Sequence, residues 1–143
     1  SSNVSIYRNT SSGGTISFAP VVDFTTYLFG LPYSVAVGDL DGDGMPDLVV
    51  SNLTANTVSV IRNTSSSGII SFDSHIEFST GSSPQFVAIG DLDKDGKLDL
   101  VTANNGSGSL SALRNTSVLG NISFEGHVEF SVSGTPNSVA IGD

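Results

Sequence analysis

An all-β fold of β-propeller blades is what this sequence predicts, on two observations. A segment returns every 52 residues, and each full return holds four short β-branched runs separated by turn residues. Val35-Ala36-Val37-Gly38-Asp39-Leu40-Asp41 comes back as Val87-Ala88-Ile89-Gly90-Asp91-Leu92-Asp93, and again as Val139-Ala140-Ile141-Gly142-Asp143. Arg62-Asn63-Thr64-Ser65 recurs at the same spacing as Arg114-Asn115-Thr116-Ser117. An earlier copy, Arg8-Asn9-Thr10-Ser11, stands 54 residues upstream, and the two additional residues fall between Phe24 and Pro32.

Each element follows from local chemistry. Apolar β-branched residues alternating with Ser or Thr place one face of a strand in a core, and Gly, Asn, Ser and Pro end each run. In the first complete unit the runs are strand A at 35–39, B at 47–51, C at 57–62 and D at 69–78. No i, i+3, i+4 apolar stripe competes with them. Four strands in about 50 residues make a propeller blade, and the absence of Trp excludes the WD-type unit. A two-sheet sandwich has no need of a constant phase. The chain therefore divides into a partial blade at 1–34 (strands C and D), full blades at 35–86 and 87–138, and the first strand of a further blade at 139–143. A blade cannot bury its faces alone. The chain is thus expected to be a fragment of a larger propeller or to join other copies as a homo-oligomer. A ring closed by copies would still lack the equivalent of 40–54 at each junction.

Composition narrows the function. The 143 residues carry 14 Asp and Glu against 5 Lys and Arg, a formal net charge of −9. Such a chain repels nucleic acid, and divalent cations are its natural counter-charge. Without cysteine there is no disulfide framework, thiolate nucleophile or Cys-based zinc site. No apolar stretch reaches the length of a membrane span, so no membrane insertion is expected.

The chemistry concentrates between strands A and B. Asp39-Leu40-Asp41-Gly42-Asp43-Gly44-Met45-Pro46-Asp47 and Asp91-Leu92-Asp93-Lys94-Asp95-Gly96-Lys97-Leu98-Asp99 both read D-x-D-x-D-G-x-x-D. Carboxylates at positions 1, 3 and 5, Gly at 6 and a carbonyl at 7 form an oxygen cage suited to calcium. An EF-hand closes such a cage with Glu at position 12. Here that place holds Val50 or Thr102, and Asp47 or Asp99 stands at position 9 instead. One Asp-Gly is a turn former, but four carboxylates in nine residues repel one another without a cation. Magnesium asks for tighter octahedral geometry, and zinc asks for His or Cys.

Other residues carry blander readings. His75 and His127 share a repeat phase, each two residues before an acid (Glu77, Glu129), and read as a solvated outer strand rather than an acid–base pair. Arg8, Arg62 and Arg114 read as blade scaffold or carboxylate partners. The seven Asn-x-Ser/Thr sequences (Asn3, Asn9, Asn52, Asn63, Asn105, Asn115, Asn121) read first as turn chemistry. No nucleophile elbow or phosphate-binding glycine loop is present, so no enzyme activity is expected.

The motif Val-Ala-Ile-Gly-Asp-Leu-Asp-x-Asp-Gly-x-x-Asp-Leu-Val, followed by the Arg-Asn-Thr-Ser strand end, resembles the FG-GAP/VCBS family over essentially the whole chain. These are the calcium-binding blades of the integrin α-subunit propeller and of bacterial and fungal proteins built on the same blade. The resemblance implies two structural calcium ions. One would be held by Asp39, Asp41, Asp43, the Met45 carbonyl and Asp47; the second by Asp91, Asp93, Asp95, the Lys97 carbonyl and Asp99. Asp143 matches only the first ligand of a third loop. The resemblance also implies a secreted or cell-surface module for adhesion or for binding an unidentified protein or glycan, with a purely structural array or a lectin-type propeller fragment as alternatives.

Overall fold

The computed structural model describes residues 3–25 and 30–142. Asp143 and residues 26–29, which hold most of the segment carrying the two-residue insertion, lie outside them. The described residues form ten strands and no helix. Accordingly, none of their helices is long and apolar enough to cross a membrane.

Strands β1 (Asn3–Ile6) and β2 (Val22–Thr25) make a two-stranded antiparallel sheet. Strands β3 (Pro32–Gly38), β4 (Asp47–Asn52), β5 (Thr57–Ile61) and β6 (Ile76–Ser79) make a four-stranded antiparallel meander. Strands β7 (Pro84–Gly90), β8 (Asp99–Asn104), β9 (Ser109–Leu113) and β10 (Val128–Ser131) repeat it in the same order. Even the irregularities match: the register shift between Pro32 and Ser34 recurs between Pro84 and Phe86.

Two elements differ from the sequence expectation. The expected strand D at 69–78 is divided, and only Ile76–Ser79 pairs with β5. Residues 63–72 form a hairpin extension of their own, with bridges Asn63↔Phe72 and Ser66↔Ile69 around Ser67 and Gly68 at φ 50° and 80°. The cause is Asn63, whose Oδ1 accepts the Ser65 N–H at 2.9 Å and so diverts the chain out of the sheet. The second difference is at 139–142, which forms no strand. The segment nevertheless lies against β7. A Cβ on Gly90 would stand 2.9 Å from Ile141 Cγ2, much as one on Gly38 would stand 3.3 Å from Ile89 Cγ2.

The core lies between sheets. Val49, Val58 and Val60 of one sheet meet Val87, Leu100, Leu113, Ile122 and Phe124 of the next. Leu48, Val50 and Ile61, on the opposite face, meet Val4 and Ile6 of the two-stranded sheet. Hence β4 is buried at every position, although its residues alternate in direction. An aromatic pair marks each joint: Phe24 meets Phe72 edge-on at 5.0 Å, and Phe78 meets Phe124 at 5.1 Å. Phe124→Ala should cost about 3 kcal/mol or somewhat more. Because the core is shared, urea unfolding followed by circular dichroism should remain a single transition. A variant that splits into two transitions would show that the sheets are stable separately.

Candidate metal centre

Each loop is wound by its own carboxylates. Asp39 Oδ1 accepts from the N–H groups of Gly42 and Asp43, and its Oδ2 accepts from Gly44 at 2.9 Å. Asp41 Oδ1 takes Asp43 N–H, and Asp43 Oδ1 takes Met45 N–H at 2.8 Å. The second loop repeats this with Gly96 on Asp91, Asp95 on Asp93 and Lys97 on Asp95. Gly44 and Gly96 sit at φ 85° and 86°, where a side chain is strained. Lys94 accepts the same left-handed region at φ 63° in the place Gly42 holds in the first loop.

The structure brings oxygens of Asp39, Asp41 and Asp43 within 4.8 Å of one another, and likewise those of Asp91, Asp93 and Asp99. Asp47 and Asp95 lie outside these two groupings. Asp47 opens β4 and is fully buried. Its Oδ2 accepts Leu40 N–H and its Oδ1 accepts Asn63 N–H, so it clamps the loop to the end of β5. Burial raises its pKa above the ordinary carboxylate value, against the lowering effect of those two N–H groups. Asp99 makes the same bonds to Leu92 and Asn115. Met45 and Lys97 stand in the turn, with Lys97 Nζ donating to Ser117 O at 2.9 Å.

Arginine faces each cluster. Arg62 donates through Nε to Asp41 Oδ2 at 2.6 Å and through Nη2 to Asp43 Oδ2 at 2.8 Å. Arg114 does the same to Asp93 and Asp95. The hydrogen bond from Arg114 holds Asp93 below the usual carboxylate range, and the bond from Arg62 to Asp41 keeps the Arg62 guanidinium firmly charged. These two arginines are carboxylate partners. Arg8, with no such loop in its sheet, reaches Gly68 O at 3.2 Å.

The two loops differ in cover. Asp41 Oδ2 also accepts Gly120 N–H at 3.0 Å, and Leu40 O accepts from the Asn115 amide at 2.9 Å. Both donors belong to the following sheet. The Asp41 side chain is consequently 0% exposed, against 37% for Asp93. Sequence reading missed this clasp. Its signal is the phase-locked Asn of Arg-Asn-Thr-Ser, whose first reading from sequence is turn chemistry. Asn63 and Asn115 are buried, with Asn115 also donating to Leu98 O, so neither offers its amide to solvent. His75 Nε2 lies 4.0 Å from Glu77 Oε1 on the outer edge of the sheet.

A family model described as FG-GAP-like repeat matches three overlapping segments, residues 1–50, 39–102 and 91–143, which together span the chain. No curated protein and no solved structure matches it.

Arg62 neutralises a covered pair of carboxylates, whereas Arg114 faces a half-exposed one. With chelator present, Arg62→Ala should therefore lower the urea midpoint more than Arg114→Ala. Equal shifts would show that the cover over Asp41 has no electrostatic consequence.

Proposed function

The chain belongs to the FG-GAP-like repeat family, and from that premise we propose that it is a calcium-binding propeller module of a secreted or cell-surface protein, in which structural calcium steadies blades whose loops face a protein or glycan. The observation that carries the metal is Asp91 Oδ1. It is buried and has no hydrogen-bond partner among the described residues, and a carboxylate oxygen of Asp91 lies within 4.8 Å of oxygens of Asp93 and Asp99. An anionic oxygen left in that condition is costly, and a cation relieves it.

Coordination capacity remains at the other carboxylates. An ionised carboxylate offers about four lone-pair sites. Arg62 and Gly120 occupy the Oδ2 side of Asp41, and among the described residues its Oδ1 takes only the Asp43 N–H. Asp43 and Asp47 each accept one bond per oxygen, which leaves a lone pair on both. The donor set is all hard oxygen, which suits calcium. Asp39, Asp41, Asp43 and Asp47 with the Met45 carbonyl would hold one ion. Asp91, Asp93, Asp95 and Asp99 with the Lys97 carbonyl would hold the other. Bound calcium supplies concentrated positive charge on the cage side of the carboxylates. Arg62 and Arg114 supply the rest from the Oδ2 side.

A role outside the cell fits the same chemistry. A chain with no cysteine has no disulfides to stiffen it, and metal cross-links at the A–B loops serve that purpose. Adhesion or ligand binding follows from the family, with the blades as a rigid platform for their loops.

Calorimetric titration should find two calcium ions per chain, and Asp41→Ala or Asp93→Ala should each reduce this to one. At calcium 100-fold above its dissociation constant, each site adds about 2.7 kcal/mol. The melting temperature should fall in chelator and recover with calcium; a melting curve indifferent to both would overturn the metal reading.

A further inference from the structure

Each aspartate loop faces an arginine that stands outside its expected ligand set. We propose that Arg62 and Arg114 are positioning residues of the calcium sites. Each guanidinium fork holds the Oδ2 atoms of two successive loop aspartates, which leaves each carboxylate one oxygen, Oδ1, for the ion. This role rests on the calcium reading above and gives the ligand geometry a cause.

The fork spans two different carboxylates. Arg62 Nε donates to Asp41 Oδ2 and its Nη2 to Asp43 Oδ2. Arg114 Nε and Nη2 make the same pair of bonds to Asp93 Oδ2 and Asp95 Oδ2. The same atoms are used in both blades, so the pairing is a repeated construction and not an isolated surface contact. A guanidinium is planar and its donors keep a fixed spacing. The two carboxylates are therefore oriented relative to each other as well as to the arginine.

The opposite oxygens are fixed by the backbone. Asp41 Oδ1 accepts Asp43 N–H, and Asp43 Oδ1 accepts Met45 N–H. Asp93 and Asp95 repeat this with the N–H groups of Asp95 and Lys97. Each carboxylate is thus gripped from both sides, and rotating it breaks hydrogen bonds at both oxygens. With Oδ2 committed to arginine, ligation through both oxygens is closed and ligation through Oδ1 stays open.

The arginine is itself held from behind. Asp73 N–H donates to Arg62 O, and Asp73 Oδ2 stands 3.6 Å from Arg62 Nη1. Glu125 N–H donates to Arg114 O, and Glu125 Oε1 accepts from Arg114 Nη1 at 3.4 Å. One residue in each blade therefore ties down both the backbone of the arginine and its remaining nitrogen. A fork set in place before an ion arrives loses little rotamer freedom when the cage fills.

Orientation and charge act in opposite directions here, which makes the role testable. A guanidinium that served only as a charge would repel the incoming cation, and its removal would tighten binding. Lysine keeps the charge but is a point donor that cannot bridge two carboxylates in a fixed geometry. In calorimetric titration of the full chain, Arg62→Lys should weaken one of the two calcium ions by about tenfold or more and leave the other unchanged. Arg114→Lys should weaken the other ion, and the double variant should weaken both. Infrared difference spectra, calcium-loaded minus calcium-free, read the ligation itself. The separation between the two carboxylate stretching bands should narrow in the lysine variants, as ligation through both oxygens opens. An arginine that merely braced the hairpin would shift the urea midpoint and leave that separation alone. The Arg114 side chain is 47% exposed, so Arg114→Lys keeps the fold and decides the matter if Arg62→Lys does not fold.

Lysine variants that bind both ions as the wild type does would overturn the proposal. So would an unchanged band separation, or tighter calcium binding in Arg62→Met or Arg114→Met. A wild-type chain that takes up no calcium would overturn the calcium reading and this role together, whereas uptake with indifferent variants overturns the role alone.

Discussion

Asp41 accepts hydrogen bonds from three parts of the chain: Asp43 N–H inside its own loop, Arg62 at the end of strand C, and Gly120 in the next sheet. The first winds the turn, the second balances charge, and the third joins two sheets whose residues are 79 apart in sequence. A covered carboxylate is stable only while such donors are all present. Formation of the loop, closure of the hairpin and seating of the neighbouring sheet are thereby coupled. Asp47 reinforces the coupling from beneath, since its two oxygens tie the start of the loop to the residue after Arg62. A cation in the cage would strengthen a point where three levels of structure already meet.

The repeats are not identical, and their differences have local consequences. Thr102 donates to Asn104 Oδ1 at 2.8 Å, while Val50 stands at the equivalent place in the earlier unit. Asn52 Oδ1 is accordingly buried without a partner among the described residues, although its amide still reaches Thr57 and Ser59. At the same end of the stack, a Cβ on Gly81 would meet the Asn104 amide at 2.5 Å and Glu129 at 2.6 Å. The linker between sheets has to pass through that polar cluster, and Glu129 is held below its ordinary pKa by hydrogen bonds from Ser109 and Ser107. The aspartate-loop end and this end therefore join the sheets by different means, a charged clasp at one and a hydroxyl–amide network at the other.

What was legible in the sequence was what a residue and its near neighbours determine. Strand phase follows from alternation, so β4 and β8 begin where Asp47 and Asp99 predict. The Asp-x-Asp-x-Asp-Gly turn follows because each carboxylate has an N–H two to five residues ahead to accept from. What was hidden lay in side chains that compete with the backbone, or in distance along the chain. Asn63 draws the chain out of the ladder, which divided the expected strand D. The expected strand at 139–142 has the right residues and lies against Gly90, but ladder formation needs a hydrogen-bonding neighbour, and no alternation pattern contains one.

The unequal cover of the two loops follows from the same reasoning. Their sequences agree at every acidic position, so sequence alone treats them as equivalent. Their difference is positional: a following sheet supplies Gly120 and Asn115 to the first loop, and the second has no such sheet among the described residues. In a stacked array each loop is completed by its neighbour, so carboxylate geometry is a property of pairs of blades rather than of single repeats. The half-exposed Asp93 and Arg114 are what an Asp41 and Arg62 become when that neighbour is withdrawn.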